Sequence, residues 1–126
     1  MNIPIFLAAI AVVESNTNDL AIGKAGEVSR YQITPLVWDA YTFAGDNHLN
    51  ADDAYKVAVT YIEVELIPAL EIHERSITVA SLAACWNYGP KAASLPWPKR
   101  VQRYSDKVVA AYAKLAEQEE FLQPTP

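Results

Sequence analysis

Cysteine, glycine and positive charge are scarce in this 126-residue chain, and each scarcity excludes something. The lone Cys85 cannot form an internal disulfide, so the fold does not rest on oxidative cross-links. It lies in the apolar helical stretch Val79 to Trp86 and reads as a buried thiol rather than a nucleophile. With four glycines there is no phosphate-cradling Gly-rich loop, and no Cys-x2-Cys pair or Ser–His–Asp order is present. Ten basic against fifteen acidic residues give a net charge of −5. A general nucleic-acid binder would need a basic face. Attraction to any other polyanion would have to come from a local cleft.

Long apolar runs are also missing. Ile3 to Val13 is too short to span a bilayer. It has no basic flank, and cleavage behind it would remove Glu14, so it reads as a structural helix and not as a leader. Localisation is left open. His48 lies near Asp46, Asp52 and Asp53, and His73 between Glu71 and Glu74, without the spacing of a ligand set. No metal or other cofactor is expected.

What is present is a composition of 52% hydrophobic and 20% charged residues, enough for one domain with a real core. Ile3 to Val13 contains no polar side chain, so the helix it forms is buried on most sides. Glu14 closes that run. A carboxylate there either reaches water at the helix end or sits in an apolar pocket. In a pocket, desolvation disfavours its charged form and keeps it able to donate a proton.

Along the chain, Asn2 is an N-cap with Pro4 in the first turn of a helix running to Ser15. From Asn16 to Gln32 helical periodicity fails, Gly23 and Gly26 suit turns, and Leu20–Ile22 and Val28–Ile33 suit short strands or extended loop. Thr34-Pro35 opens a short helix to about Phe43. Asn50 with Asp53 resembles a capping pair for a long helix, Ala51 to about Glu74, which Pro68 should kink or interrupt. Thr78 caps a helix over Val79–Trp86, stopped by Asn87-Tyr88-Gly89-Pro90. A last amphipathic helix covers about Lys99 to Phe121. The expectation is one domain over 1–122 with a frayed tail at 123–126, mainly α with a small β or loop excursion directly after Glu14.

The residues around that excursion resemble the lysozyme-like superfamily, closest to soluble lytic transglycosylases and to goose-type and c-type lysozyme-like muramidases. Glu14-Ser15-Asn16, a Gly-containing loop, and Tyr31-Gln32-Ile33-Thr34-Pro35 resemble the Glu-Ser helix end and Gln-hydrophobic-x-Pro segment of those transglycosylases. Val57 to Ile62 resembles their Gly-x-x-Tyr-Leu helix, Ala83 to Pro90 their Ala-x-Tyr-Asn-x-Gly-Pro motif, and Arg103-Tyr104-x3-Val108 their closing Tyr-Val motif. The order matches and the span is residues 11 to 108. The resemblance implies a lysozyme-like fold and cleavage of the β-1,4 bond between N-acetylmuramic acid and N-acetylglucosamine in peptidoglycan, with Glu14 as the acid. A monomer and a glycan partner are implied; a non-catalytic glycan-binding or structural domain is the alternative.

The turn before Gln32 departs from the transglycosylase pattern: Ser29 replaces a glycine and Glu27 a small residue. Counted back from Gln32, Glu27 falls where c-type lysozymes carry a second carboxylate. Such a pair serves hydrolysis, whereas a transglycosylase closes an anhydro ring with the substrate's own hydroxyl. Glu27 is therefore either a second catalytic residue or a solvated loop acid paired with Lys24 or Arg30. By the same resemblance, Ser15, Gln32 and Asn87 would position substrate or orient Glu14. Tyr31, Tyr61, Trp86 and Tyr88 would either face sugar rings or pack in the core. Tyr104 reads as a core residue with a polar tip. Lys99, Arg100, Arg103 and Lys107 form a basic cluster that either contacts anionic peptide stems or is a solvated helix face.

Overall fold

The computed structural model describes residues 1–122; the tail at 123–126 lies outside the described residues. Helix α1 spans Ile3–Ser15, with the Asn2 side chain accepting the Ile5 N–H at 3.0 Å. Phe6, Leu7, Ala9 and Ile10 are wholly buried, and complete burial of a large apolar side chain contributes about 1.5–3 kcal/mol. The helix stops where Asn16 turns left-handed at φ 54°. The Asn16 and Thr17 N–H groups then return to the carbonyls of Val12 and Ala11, both at 3.0 Å. That stop leaves Glu14 on the last turn.

Helix α2, Pro35–Tyr41, is capped by Thr34 and contains no fully buried residue. Helix α3, Ala51–Tyr61, starts at Asn50, whose side chain accepts the Asp52 and Asp53 N–H groups. The capping pair is one-sided, because the Asp53 carboxylate accepts the Asn47 N–H instead of returning to Asn50. The interruption expected at Pro68 takes the form of a π turn over Ile62–Leu66, before the chain resumes as α4, Ile67–Ile72. The Ile67 N–H reaches the Ile62 carbonyl, and Pro68 then falls in a first turn where its missing N–H is not needed.

Helix α5, Val79–Tyr88, runs two residues further than the sequence suggests and begins in a reciprocal Thr78–Ser81 capping box. Helix α6 covers Lys99–Leu122. It packs along both α5 and α1, and α1 also touches α3. The core is one cluster joining Leu7, Ile10, Val57, Leu66, Leu82, Val101 and Val108. The molecule is mainly helical, with no strand among the described residues. The segments Leu20–Ile22 and Val28–Ile33 form loop with isolated antiparallel bridges, Ile22 to Val28 and Val28 to Ile33. Pairing cannot extend past Ile33 because Thr34 already caps α2. No described helix is long and apolar enough to cross a membrane.

Candidate active site

Stretches far apart in sequence meet at Glu14. Tyr104 on α6 donates its phenol hydrogen to Glu14 Oε2 at 2.7 Å. Burial pushes the Glu14 carboxyl above its ordinary range, the Tyr104 hydrogen bond pulls it partly back, and the nearby charge of Glu27 adds to the rise. Tyr104 is itself pushed far above the usual phenol range by burial and by Glu14, so it stays a donor. The reading of Tyr104 as a packed residue with a polar tip agrees with this placement, and that tip serves Glu14. Glu14 is half-buried and lines a cleft of about 410 Å³ together with Val13, Asn87, Arg100, Arg103, Tyr104 and Lys107.

The loop after α1 is fastened to the helix end by Ser15. Its hydroxyl donates to the Arg30 carbonyl at 2.7 Å and accepts the Asn18 N–H at 3.0 Å. Ser15 therefore anchors the loop beside Glu14 through backbone groups. Arg30 pairs with Asp19, at 2.6 Å from Nε and 2.9 Å from the terminal nitrogen, and not with Glu27. Glu27 instead takes the Ala25 N–H at 2.8 Å. Gly23 makes this arrangement possible: a Cβ there would stand 2.7 Å from Glu27 Oε2 and equally close to Gln32 Oε1. Gln32 turns its amide nitrogen inward to the carbonyls of Ala21 and Ser29, at 3.1 and 2.9 Å. Its donors thus hold the loop, while its oxygen faces Gly23.

A second, smaller groove is lined by Gln32, Ile33, Thr34, Val37, Tyr61 and Trp86. Tyr61 and Trp86 meet edge to face with ring centroids 5.7 Å apart. Tyr61 is largely buried, and Trp86 offers the more accessible face. Tyr31 is 5% exposed and belongs to the core; its carbonyl accepts the Trp86 indole N–H at 3.3 Å. Of the two readings for Tyr31, packing is the one its position supports. Asn87 is exposed on the cleft and accepts a long 3.5 Å contact from Arg100. Tyr88 lies outside both concavities, under the cations of Lys91 and Arg100 at 4.2 and 5.4 Å from its ring centre.

Glu14, Asn87 and Tyr104 thus share one cleft, while Gln32, Tyr61 and Trp86 share another. Among residues the sequence reading did not single out, Val37 lines the smaller groove and Asp19 holds Arg30 in the loop; Asp19 had no visible signal beyond its charge. No group of three His, Cys, Asp or Glu among the described residues could hold a metal ion. Cys85 is buried in the core, and burial pushes its thiol up to about 11. Set against protein-family models, curated proteins and solved structures, the chain gives no match. The site offers a half-buried carboxyl group, oriented by a phenol, at the wall of a polar cleft.

Proposed function

We propose that this is a lysozyme-like domain that cuts peptidoglycan glycan strands at the β-1,4 bond following N-acetylmuramic acid. The observation that carries the reading is Glu14, half-buried on a cleft and held by Tyr104, with its carboxyl raised by burial. A glycosidic oxygen is a poor leaving group until protonated, and an acid that keeps its proton near neutrality can supply that proton as the bond breaks. The handed-over proton leaves Glu14 as a carboxylate, which the Tyr104 hydrogen bond stabilises. Positive charge then develops on the sugar ring. Either water adds to it, giving a reducing end, or the sugar's own hydroxyl closes an anhydro ring; in both cases the proton shed by the attacking oxygen returns to the Glu14 carboxylate.

Glu27 is the residue whose role separates these outcomes. A hydrolase would use its carboxylate to assist water or to stabilise the ring cation; a transglycosylase would not need it. The sequence motifs, in family order over most of the chain, support the assignment of glycan as substrate. Trp86 and Asn87 supply aromatic and polar surface for sugar groups, while Gln32, its amide engaged within the loop, shapes the groove wall.

The test is digestion of purified peptidoglycan followed by mass analysis of the soluble products. Muropeptides released by the native chain and not by Glu14→Gln support the enzyme. Reducing-end products mark a lysozyme, and products lighter by one water mark a transglycosylase. Binding of glycan without release of any product by the native chain would replace this reading with a non-catalytic binding domain.

A further inference from the structure

The first turns of α6 are unusual for this chain. Lys99, Arg100, Arg103 and Lys107 gather four of its ten basic residues at one helix end, although the chain carries net −5. That end is the N-terminal one, where the helix dipole favours anions and disfavours cations. Cations three and four residues apart also repel one another. Fifteen acidic residues are available to relieve this, yet among the described residues the side-chain ion pairs are Arg30–Asp19 and Lys56–Asp46. Arg100, Arg103 and Lys107 stay outside them and line the Glu14 cleft. Arg100 is steadied from below by the Tyr88 ring and from the side by Asn87.

The dipole opposes Lys99 and Arg100 in the first turn, and like-charge spacing opposes the cluster as a whole, although Asp106 and Glu14 lie near Arg103 and Lys107. The cluster nonetheless stands without an ion pair, among the described residues, on the wall of the candidate site. We infer that Arg100, Arg103 and Lys107 form an anion subsite that takes the carboxylates of the peptide stem carried by the muramoyl sugar. The inference rests on the glycan-cleaving reading and deepens it: the cleft selects peptide-bearing strands over bare glycan. Guanidinium groups bind carboxylates through paired, charge-assisted hydrogen bonds, and at these exposed positions salt screens the attraction. Arg103 and Lys107 flank Tyr104 in sequence, so a stem held there lies against the same helix face that orients Glu14.

The test uses the full chain with Glu14→Gln, which slows turnover by about 10²–10⁴-fold. Two ligands are titrated calorimetrically: a GlcNAc–MurNAc disaccharide bearing its peptide stem, and the same disaccharide without the stem. The stem-bearing ligand should bind roughly tenfold tighter or better, the scale of one charge-assisted contact. That advantage should shrink as salt rises. Adding Arg103→Gln and Lys107→Gln, both exposed positions, should remove the advantage, lowering affinity for the stem-bearing ligand far more than for the bare disaccharide. Equal affinity for the two ligands overturns the subsite and leaves the glycan reading standing. An advantage that survives both substitutions also overturns it. Binding of neither ligand removes the glycan reading and the subsite with it.

Discussion

The helical wall of α1, α5 and α6 and the loop Asn16–Gln32 meet at Glu14, and they are held by opposite means. The wall is secured by apolar burial, with Phe6, Leu7, Ile10, Leu82, Val101 and Val108 shut away from water. Apart from Ser29 and Tyr31 the loop buries little: Leu20 and Ile22 are 70% and 60% exposed. It is secured by side-chain to backbone hydrogen bonds, donated by Ser15 and Gln32 and accepted by Glu27 and Ser29. Asn16, Thr17, Ser29 and Gln32 all adopt left-handed φ, against Glu74 alone among non-glycine residues elsewhere in the described chain. Such conformations cost free energy and persist where surrounding contacts over-determine them. The difference teaches that the wall fixes where Glu14 stands, while the loop fixes what stands opposite it.

Substitutions on either side should therefore fail in different ways. The largest effect is expected from Glu14→Gln, which should cut muropeptide release by about 10²–10⁴-fold, the usual worth of a general acid. Its stability should move the other way. Glu14 has a raised carboxyl in the fold, so on raising the pH the unfolded chain releases its proton first. Folding free energy contributed by the protonated acid is present below the ordinary carboxyl range and is lost as pH climbs through the folded value. The variant lacks that loss, and urea melts from acid to neutral pH should show a flatter profile than the native chain.

Leu82→Ala strikes the wall. Leu82 is fully buried, so the cavity should cost about 2–5 kcal/mol by urea denaturation, with specific activity of the remaining folded protein little changed. Gly23→Ala strikes the loop and should reverse that pattern. The new methyl would meet the far ends of Glu27 and Gln32, and moving them loosens the hydrogen bonds by which they hold the loop, so stability should fall by about 1–2 kcal/mol. Activity should fall more, by up to about 10²-fold if the displaced groups serve the reaction. Unchanged activity would show that Glu27 and Gln32 take no part. Ser29→Gly should be the mildest. It relieves a left-handed residue, worth about 1–2 kcal/mol. It also removes the hydroxyl that accepts the buried Tyr31 N–H, and leaving that donor unpaired costs about 1–3 kcal/mol, so the two effects largely offset and the melt should shift little.

The wall was largely legible in the sequence because capping residues and apolar periodicity are local signals. Asn2, Thr34, Asn50 and Thr78 all cap where their side chains suggest. Pro68 announced an interruption; that it would be a π turn depends on packing around Ile62 and Leu66 and is not a local property. The loop was less legible. Its bridges look like strands in sequence, yet whether they extend depends on Thr34 starting a helix immediately afterwards. The choice of Asp19 over Glu27 as partner of Arg30 is set by the turn geometry of the whole excursion. The contact between Glu14 and Tyr104 spans ninety positions, and no spacing rule reaches that far.

Carbon-detected NMR titration of the Glu14 side-chain carboxyl, in the native chain with Glu27→Gln as reference, measures the central quantity directly. Glu14 should titrate above the ordinary glutamate range, and lower in the Glu27→Gln chain, where the neighbouring charge is gone. A Glu14 that titrates at or below the ordinary range would contradict the account, because such a group arrives at the glycosidic oxygen with no proton to give.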